Sequence, residues 1–308
     1  MARTATHFNL PARKTTLAVF ALVIVSVLVC IKAIAHYKSG SISILASLTD
    51  SIMDSLISVM ALGSILYADR PADAEHRWGH GKIEAVAALI QASVITGGSV
   101  FLVFSSVDRM VRPQPLVDHW LAIWVMLASL GLSGLLVFGQ RRALQDVDSL
   151  TLEADHLNYG GDVLMNLGTL GVLFASLFGA PLWIDSVVAI IGAVFMATMA
   201  YSVFMKALNM LLDRELPHAD RLLIIRDIEA HDAVLGWHDL RTRRHGDVYD
   251  ISFDIEVDAD SSLREAHNVA KDLEQTLVSR FSKCDVMIHV DPQGFPDDER
   301  HRVKGIHI

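Results

Sequence analysis

Along the first two-thirds of the chain, apolar residues run on for about twenty positions at a time, the length a helix needs to cross a bilayer. Such runs occupy residues 15–37, 42–67, 83–107, 119–139, 151–178 and 182–208. They predict six transmembrane helices. The first is too long, and too poor in small residues at its end, to be a cleaved signal, so it is expected to stay as a helix.

From about residue 216 the pattern changes to shorter periods with frequent charges. An amphipathic helix, "ADRLLIIRDIEAHD", is expected just after Pro217. In "DVYDISFDIEVD", Tyr249, Ile251, Phe253, Ile255 and Val257 alternate with Asp250, Ser252, Asp254, Glu256 and Asp258, the period of a half-buried strand. "SSLREAHNVAKDLEQTLVSRF" reads as a helix capped by Ser261 or Ser262, and "CDVMIHVDP" as a strand stopped by Pro292. With "VLGWHDLRTRR" as a further strand, the order is α-β-β-α-β, a small sheet with helices on one face. The expected fold class is therefore an α-helical membrane protein, six transmembrane helices followed by a small cytoplasmic α+β domain. Its divisions are a cytoplasmic segment 1–14, the membrane domain 15–208, a soluble domain 209–296 and a flexible tail 297–308 within "PDDERHRVKGIHI".

Composition agrees with a membrane protein: of 308 residues, 52% are hydrophobic and only 20% charged. A net charge of −9 argues against a nucleic-acid partner, whose phosphates need a basic face. Cys30 and Cys284 form neither a disulfide framework nor a zinc knuckle, and both read as buried small hydrophobes. Orientation follows from Lys and Arg in the connections. Arg3, Arg13, Lys14, Arg70, Arg77, Lys82, Arg141 and Arg142 fall on one side, against Lys38, Arg109 and Arg112 on the other. The richer side should be cytoplasmic, with both termini on it, in the cytoplasmic membrane.

Chemistry is concentrated in the second run, "LASLTDSIMDSLISVMALG". Asp50 and Asp54 stand four apart, one turn up the same helix face. A charge at mid-membrane costs at least about 2.5 kcal/mol, so such residues line a pathway or find a partner. Two carboxylates on one face repel unless they share a cation; the bland alternative is a pair neutralised by protonation or by a partner. The fifth run, "EADHLNYGGDVLMN", repeats the spacing with Asn158 and Asp162. Taken alone, Asn158 would more often join helices by hydrogen bonds. Facing the first pair, it would close a four-ligand site.

These motifs, with "RPADAEHRWGHGKIEA", "LLDRELP", "HDLRTRR" and "VMIHVDP", resemble the cation diffusion facilitators over residues 15–292, especially their bacterial homodimeric efflux members. The resemblance implies proton-coupled export of a divalent transition metal by a dimer, with alternating access around Asp50, Asp54, Asn158 and Asp162. Many zinc-transporting relatives have histidine at the position of Asn158. Imidazole suits zinc, whereas carboxylate and carbonyl oxygens suit manganese, magnesium or calcium. An asparagine with three aspartates is similar to the manganese-exporting members, so the expected substrate is Mn²⁺, with Fe²⁺ next and Zn²⁺ or Cd²⁺ export as the alternative. Clustered aspartates would take up protons jointly when the metal leaves.

The resemblance further implies a loop site of Asp73, His76 and His80, whose histidines must be deprotonated to bind metal. It implies an interfacial pair of Lys82 with Asp213, and a cytoplasmic-domain site from His238, Asp254, His267, His289 and Asp291. Asp254 replaces a histidine common in the family. His289 and Asp291 are i and i+2, on one face of a strand. No organic cofactor is expected; the partners are metal ions, protons, membrane lipid and a second copy of the chain. Two readings of other classes compete. An intramembrane aspartyl hydrolase would oppose carboxylates from different helices rather than stack them on one. A membrane metal sensor would move no metal. No GxxxxGK[ST] stretch points to ATP.

Overall fold

A backbone in lipid has to satisfy its own N–H and C=O groups, and each long apolar run does so as a helix. They are α1 (Leu10–Ser39), α2 (Ile42–Ala68), α3 (Ile83–Val111), α4 (Trp120–Ala143), α5 (Leu150–Ser176) and α6 (Trp183–Leu211). The computed structural model describes residues 10–39, 42–111, 120–144, 149–176, 181, 183–281 and 283–294. The expected tail at 297–308 and most of the expected segment 1–14 lie outside them. Two units are distinguished, 1–208 and 209–308.

Several helices outrun their apolar cores. Arg141 and Arg142 sit in the last turn of α4 and Arg109 in that of α3, where cations complement the carbonyl end of the helix. Five of the six are long and apolar enough to cross a membrane. The exception is α5, which carries Asp155, Asn158, Asp162 and Asn166. It packs against α2, α3 and α4, so its polar face meets protein. Glycines on both helices let α5 and α6 approach: a Cβ on Gly161 of α5 would lie 2.1 Å from the Met196 side chain, and one on Gly192 of α6 would lie 2.6 Å from that of Met165.

One ion pair is buried at the joined ends of three helices. Lys14 Nζ of α1 lies 2.8 Å from Glu84 Oε1 of α3, with both side chains 4% exposed. Ser149 Oγ donates to the other oxygen of Glu84, and Thr151 Oγ1 of α5 donates to the Glu84 carbonyl at 3.0 Å. Both cysteines depart from the expectation of burial: Cys30 is exposed on α1 and Cys284 only half-buried. A thiol is apolar enough to face lipid, so hydropathy alone does not separate the two environments.

The second unit follows the expected order: α7 (His218–Glu229), β1 (Gly236–His245), β2 (Val248–Val257), α8 (Leu263–Arg280) and β3 (Cys284–Pro292). The sheet order is β1-β2-β3, with β1 antiparallel and β3 parallel to β2. A parallel neighbour requires a crossover, and α8 supplies it. The alternation in β2 buries Ile251, Phe253, Ile255 and Val257 against Ile224 and Ile228 of α7 and Leu273 and Leu277 of α8. Tyr249 is half-buried against Phe281. Ser262 is the cap of α8, accepting from the Glu265 N–H in a reciprocal capping box.

Asp250 anchors the turn end of the β1–β2 hairpin. Burial pushes its carboxyl upward, but hydrogen bonds and charge from His245 and Arg243, each at 2.9 Å, outweigh this and hold it below the usual carboxylate range. The stability this gives is present above the unfolded-chain value near ~3.9 and is lost as pH falls through the lower folded value. Asp250→Asn should therefore lower hydrogen-exchange protection of the β2 amides in the full chain at neutral pH, by several-fold. After correction for intrinsic exchange, the difference should vanish only below about pH 4.

Candidate metal sites

α2 and α5 pack against each other and present the two i, i+4 pairs. Asn158 Nδ2 donates to Asp54 Oδ1 at 2.8 Å, the one direct bond between the pairs. Asp54, Asn158 and Asp162 are half-buried and Asp50 is exposed. Asp162 is within electrostatic reach of Asp54 and Asp50. The three carboxylates do not converge as a set within 4.8 Å, unlike the two groups described below. Like charges in a weakly screened site hold apart, and the amide N–H₂ of Asn158 gives Asp54 a neutral donor instead. Coordinating a cation requires this amide to turn its carbonyl inward. The side chain has that freedom because its carbonyl oxygen and its amine present opposite chemistry about one rotatable bond.

Two residues of this region went unnoticed in the sequence. Lys32 of α1 is only 7% exposed and donates to Ser51 Oγ at 2.7 Å and to the Ser47 carbonyl at 3.2 Å, two residues one turn apart on α2 with Asp50 between them in sequence. Asp155 of α5 is 1% exposed, accepting from Gln140 Nε2 at 2.7 Å and Ser58 Oγ at 3.4 Å; Ser58 also bonds the Tyr159 hydroxyl. The signal for Lys32 was available: it is the one cation in the interior of the span Lys14–Lys38, whose apolar 18-residue window has a mean hydropathy of 2.9. Asp155 stands three residues before Asn158 and seven before Asp162, on the same side of the helix, and only the fold of α4 and α2 around it reveals its partners.

The loop before α3 gathers Asp73, His76 and His80, whose ligand atoms all lie within 4.8 Å of one another. His76 Nδ1 is 3.4 Å and His80 Nε2 is 3.3 Å from the Asp73 carboxylate. His80 is buried, its ring edge-on to Tyr67, and its Nδ1 faces the Arg70 carbonyl at 3.4 Å, which orients Nε2 toward Asp73. Hydrogen bonds from the His76 and Glu75 N–H groups hold the Asp73 carboxyl below its ordinary range, so it stays an anion.

In the second unit the register sets His238, Asp254 and His289 side by side across the three strands. His238 reaches Asp254 at 3.5 Å and Asp291 at 3.6 Å, and these three can share an ion. His289 joins through Asp291 at 3.2 Å. Burial pushes the Asp254 carboxyl up, moderated by the charges of His238 and His289. A bulge between His238 and Arg241, with Asp239 at φ 48°, aims His238 into this row. Among the described residues no contact joins His267, exposed on α8, to the cluster. Lys82 lies in the first unit and Asp213 in the second, where Asp213 is 3.5 Å from Arg243.

Comparison with known proteins bears on the whole chain. Residues 18–212 match the family described as "Cation efflux transmembrane domain", and residues 216–293 match "Cation efflux protein, cytoplasmic domain". The cation-efflux pump FieF of Yersinia enterocolitica is 37% identical over 284 residues, covering 92% of this chain and 94% of that protein. FieF of Shewanella oneidensis is 38% identical over 265 residues, covering 86% and 89%. Among solved structures, the metal-bound C-terminal domain of the CzcD transporter from Thermotoga maritima is 30% identical, covering 27% of this chain and 100% of that one, with a TM-score of 0.25.

Proposed function

The chain belongs to the cation efflux family, the cation diffusion facilitators, and from that premise we propose that it exports Mn²⁺ in exchange for protons through Asp50, Asp54, Asn158 and Asp162. It is a multi-pass membrane transporter of cations and not an enzyme. Neither intramembrane hydrolysis nor signalling without flux is its activity. What supports the finer reading is the donor set: three carboxylates and one amide from α2 and α5, all oxygen at the moment of coordination. Hard oxygen donors favour Mn²⁺ over Zn²⁺ relative to a site with imidazole, and Fe²⁺ stands between.

The cycle follows from the same groups. Facing the cytoplasm, the ionised carboxylates admit the ion as Asn158 exchanges its N–H₂ for its carbonyl. Facing outward, protons taken up by the carboxylates displace the ion, and the neutralised site returns. Here Asp50, exposed on α2, is the point of entry, and Asp54 with Asp162 forms the inner wall. The family's cytoplasmic domain indicates dimerisation. A homodimer in the cytoplasmic membrane, termini inward, places the loop site and the His238–Asp254–Asp291 row where cytoplasmic metal can reach them. Metal there neutralises acidic faces and biases the conformational equilibrium. Lys82 and Asp213 would tie membrane and cytoplasmic domains together.

The decisive experiment is transport in proteoliposomes with Mn²⁺, Fe²⁺, Zn²⁺ and Cd²⁺, run beside Asn158→His. The substitution should raise the Zn²⁺-to-Mn²⁺ ratio of apparent affinities by about tenfold, equivalent to ~1.4 kcal/mol. An unchanged ranking would show that this position does not read ligand softness.

A further inference from the structure

We infer that Lys32 sets the charge of the transport site, acting as a tethered counter-cation that matches the cavity to a divalent ion and keeps its affinity low enough for release. The inference rests on the reading of Asp50, Asp54 and Asp162 as ligands. Lys32 is buried in α1, which packs on α2, and its ammonium is held by two neutral acceptors of α2, Ser51 Oγ at 2.7 Å and the Ser47 carbonyl at 3.2 Å. Among the described residues it makes no direct ion pair. It nevertheless lies within electrostatic reach of Asp162, Asp54 and Asp50.

An ammonium in a membrane helix is costly, and two neutral hydrogen bonds do not replace its hydration. The three carboxylates are the charges within reach that offset part of this cost. Three carboxylates against one ammonium give the group, fully ionised, a formal charge of −2. One divalent ion then brings the site to neutrality, a state fit to cross a low-dielectric barrier. Without the ammonium, the occupied site keeps a net negative charge and clings to its cargo. Asp155 is also within electrostatic reach of Asp54 and Asp162, but its oxygens accept from Gln140 and Ser58, so it is not counted among the ligands. Because the ammonium bonds Ser47 and Ser51 rather than the ligands, it acts at a distance and leaves the carboxylate oxygens open for the ion. A direct lysine–aspartate pair would have blocked them.

The test is Mn²⁺ uptake into proteoliposomes, with Tb³⁺ as a trivalent competitor that prefers oxygen donors. Lys32→Met removes the charge and the hydrogen bonds; Lys32→Gln removes the charge but still donates to Ser51 and Ser47; Lys32→Arg keeps the charge. Both neutral variants should lower the apparent KM for Mn²⁺ at least tenfold, lower the maximal rate, and become at least tenfold more sensitive to Tb³⁺. Lys32→Arg should remain within about threefold of the parent protein, allowing for its different shape. A merely structural lysine predicts the reverse, weaker apparent affinity in the neutral variants, and that result overturns the inference. So does unchanged KM with unchanged Tb³⁺ inhibition, and so does failure of both neutral variants to fold. Asp54→Ala in parallel separates the two levels. If it transports normally, the site assignment itself is wrong; if it is inactive while the Lys32 variants behave as the parent, only the role of Lys32 falls.

Discussion

Asp54→Ala is expected to bring metal flux in proteoliposomes down to that of protein-free vesicles while leaving the protein folded. Asp54 is the carboxylate through which α2 meets α5, accepting from Asn158 at 2.8 Å, and in the proposed transport site it is a ligand. Its loss removes a unit of negative charge at coordinating distance from a divalent ion and leaves the Asn158 amide without its acceptor. In a site partly shielded from water, with an effective dielectric constant near ~20, one such charge is worth several kcal/mol to a divalent ion, roughly a thousandfold or more in occupancy. Water filling the space of the carboxylate offers a dipole in place of a charge and recovers little of this. The fold should survive, because α2 packs through Ile57, Ala61 and Ile65, all buried, whereas Asp54 is only half-buried. An unaltered thermal midpoint with abolished flux is the expected pair of results. Full flux in this variant would move the transport site away from α2 and α5 altogether.

The difference between what the chain reveals by pattern and what only its fold reveals lies in the sequence separation of the partners. The six helices were legible because each needs only its own apolar run, and the alternation of β2 because it needs only its own pleat. A serine cap at 261 or 262 was legible from the start of the helical pattern, and the reciprocal bonds with Glu265 in the structure single out Ser262. The two carboxylate pairs were legible because i, i+4 places both members on one face whatever surrounds them. Lys14 and Glu84, by contrast, are 70 residues apart, and Gln140 and Asp155 belong to different helices. Lys14 reads in the sequence as a cytoplasmic loop charge, yet α3 arrives beside it and the pair is enclosed. Lys32 fell between the cases: its cost in lipid was plain from the span, but its partners on α2 were not. The bulge that aims His238 toward Asp254 and Asp291 left no local mark beyond Asp239 in a left-handed conformation.

The buried pair offers the largest expected effect on stability. Glu84→Ala leaves the Lys14 ammonium enclosed at the meeting of α1, α3 and α5 with its carboxylate gone, and Ser149 loses its acceptor. Breaking a buried ion pair by removing one partner costs roughly 3–5 kcal/mol, since the surviving charge keeps its desolvation penalty and loses what that partner contributed. For a domain of this size each kcal/mol shifts the midpoint by about 2–4 °C, so a fall of about 10 °C in thermal inactivation in detergent is expected. Lys14→Met should cost less, because Glu84 retains the Ser149 hydroxyl. The informative species is the double variant, Lys14→Met with Glu84→Leu. If the pair serves packing alone, apolar side chains of similar volume should recover most of the loss, and a double-mutant cycle should show strong coupling. If the double variant is as stable as the parent protein but transports more slowly, the ion pair holds the helix ends in register for the conformational cycle. If it stays as unstable as Glu84→Ala, the Ser149 hydroxyl, and not the charge on Lys14, is what the Glu84 carboxylate serves.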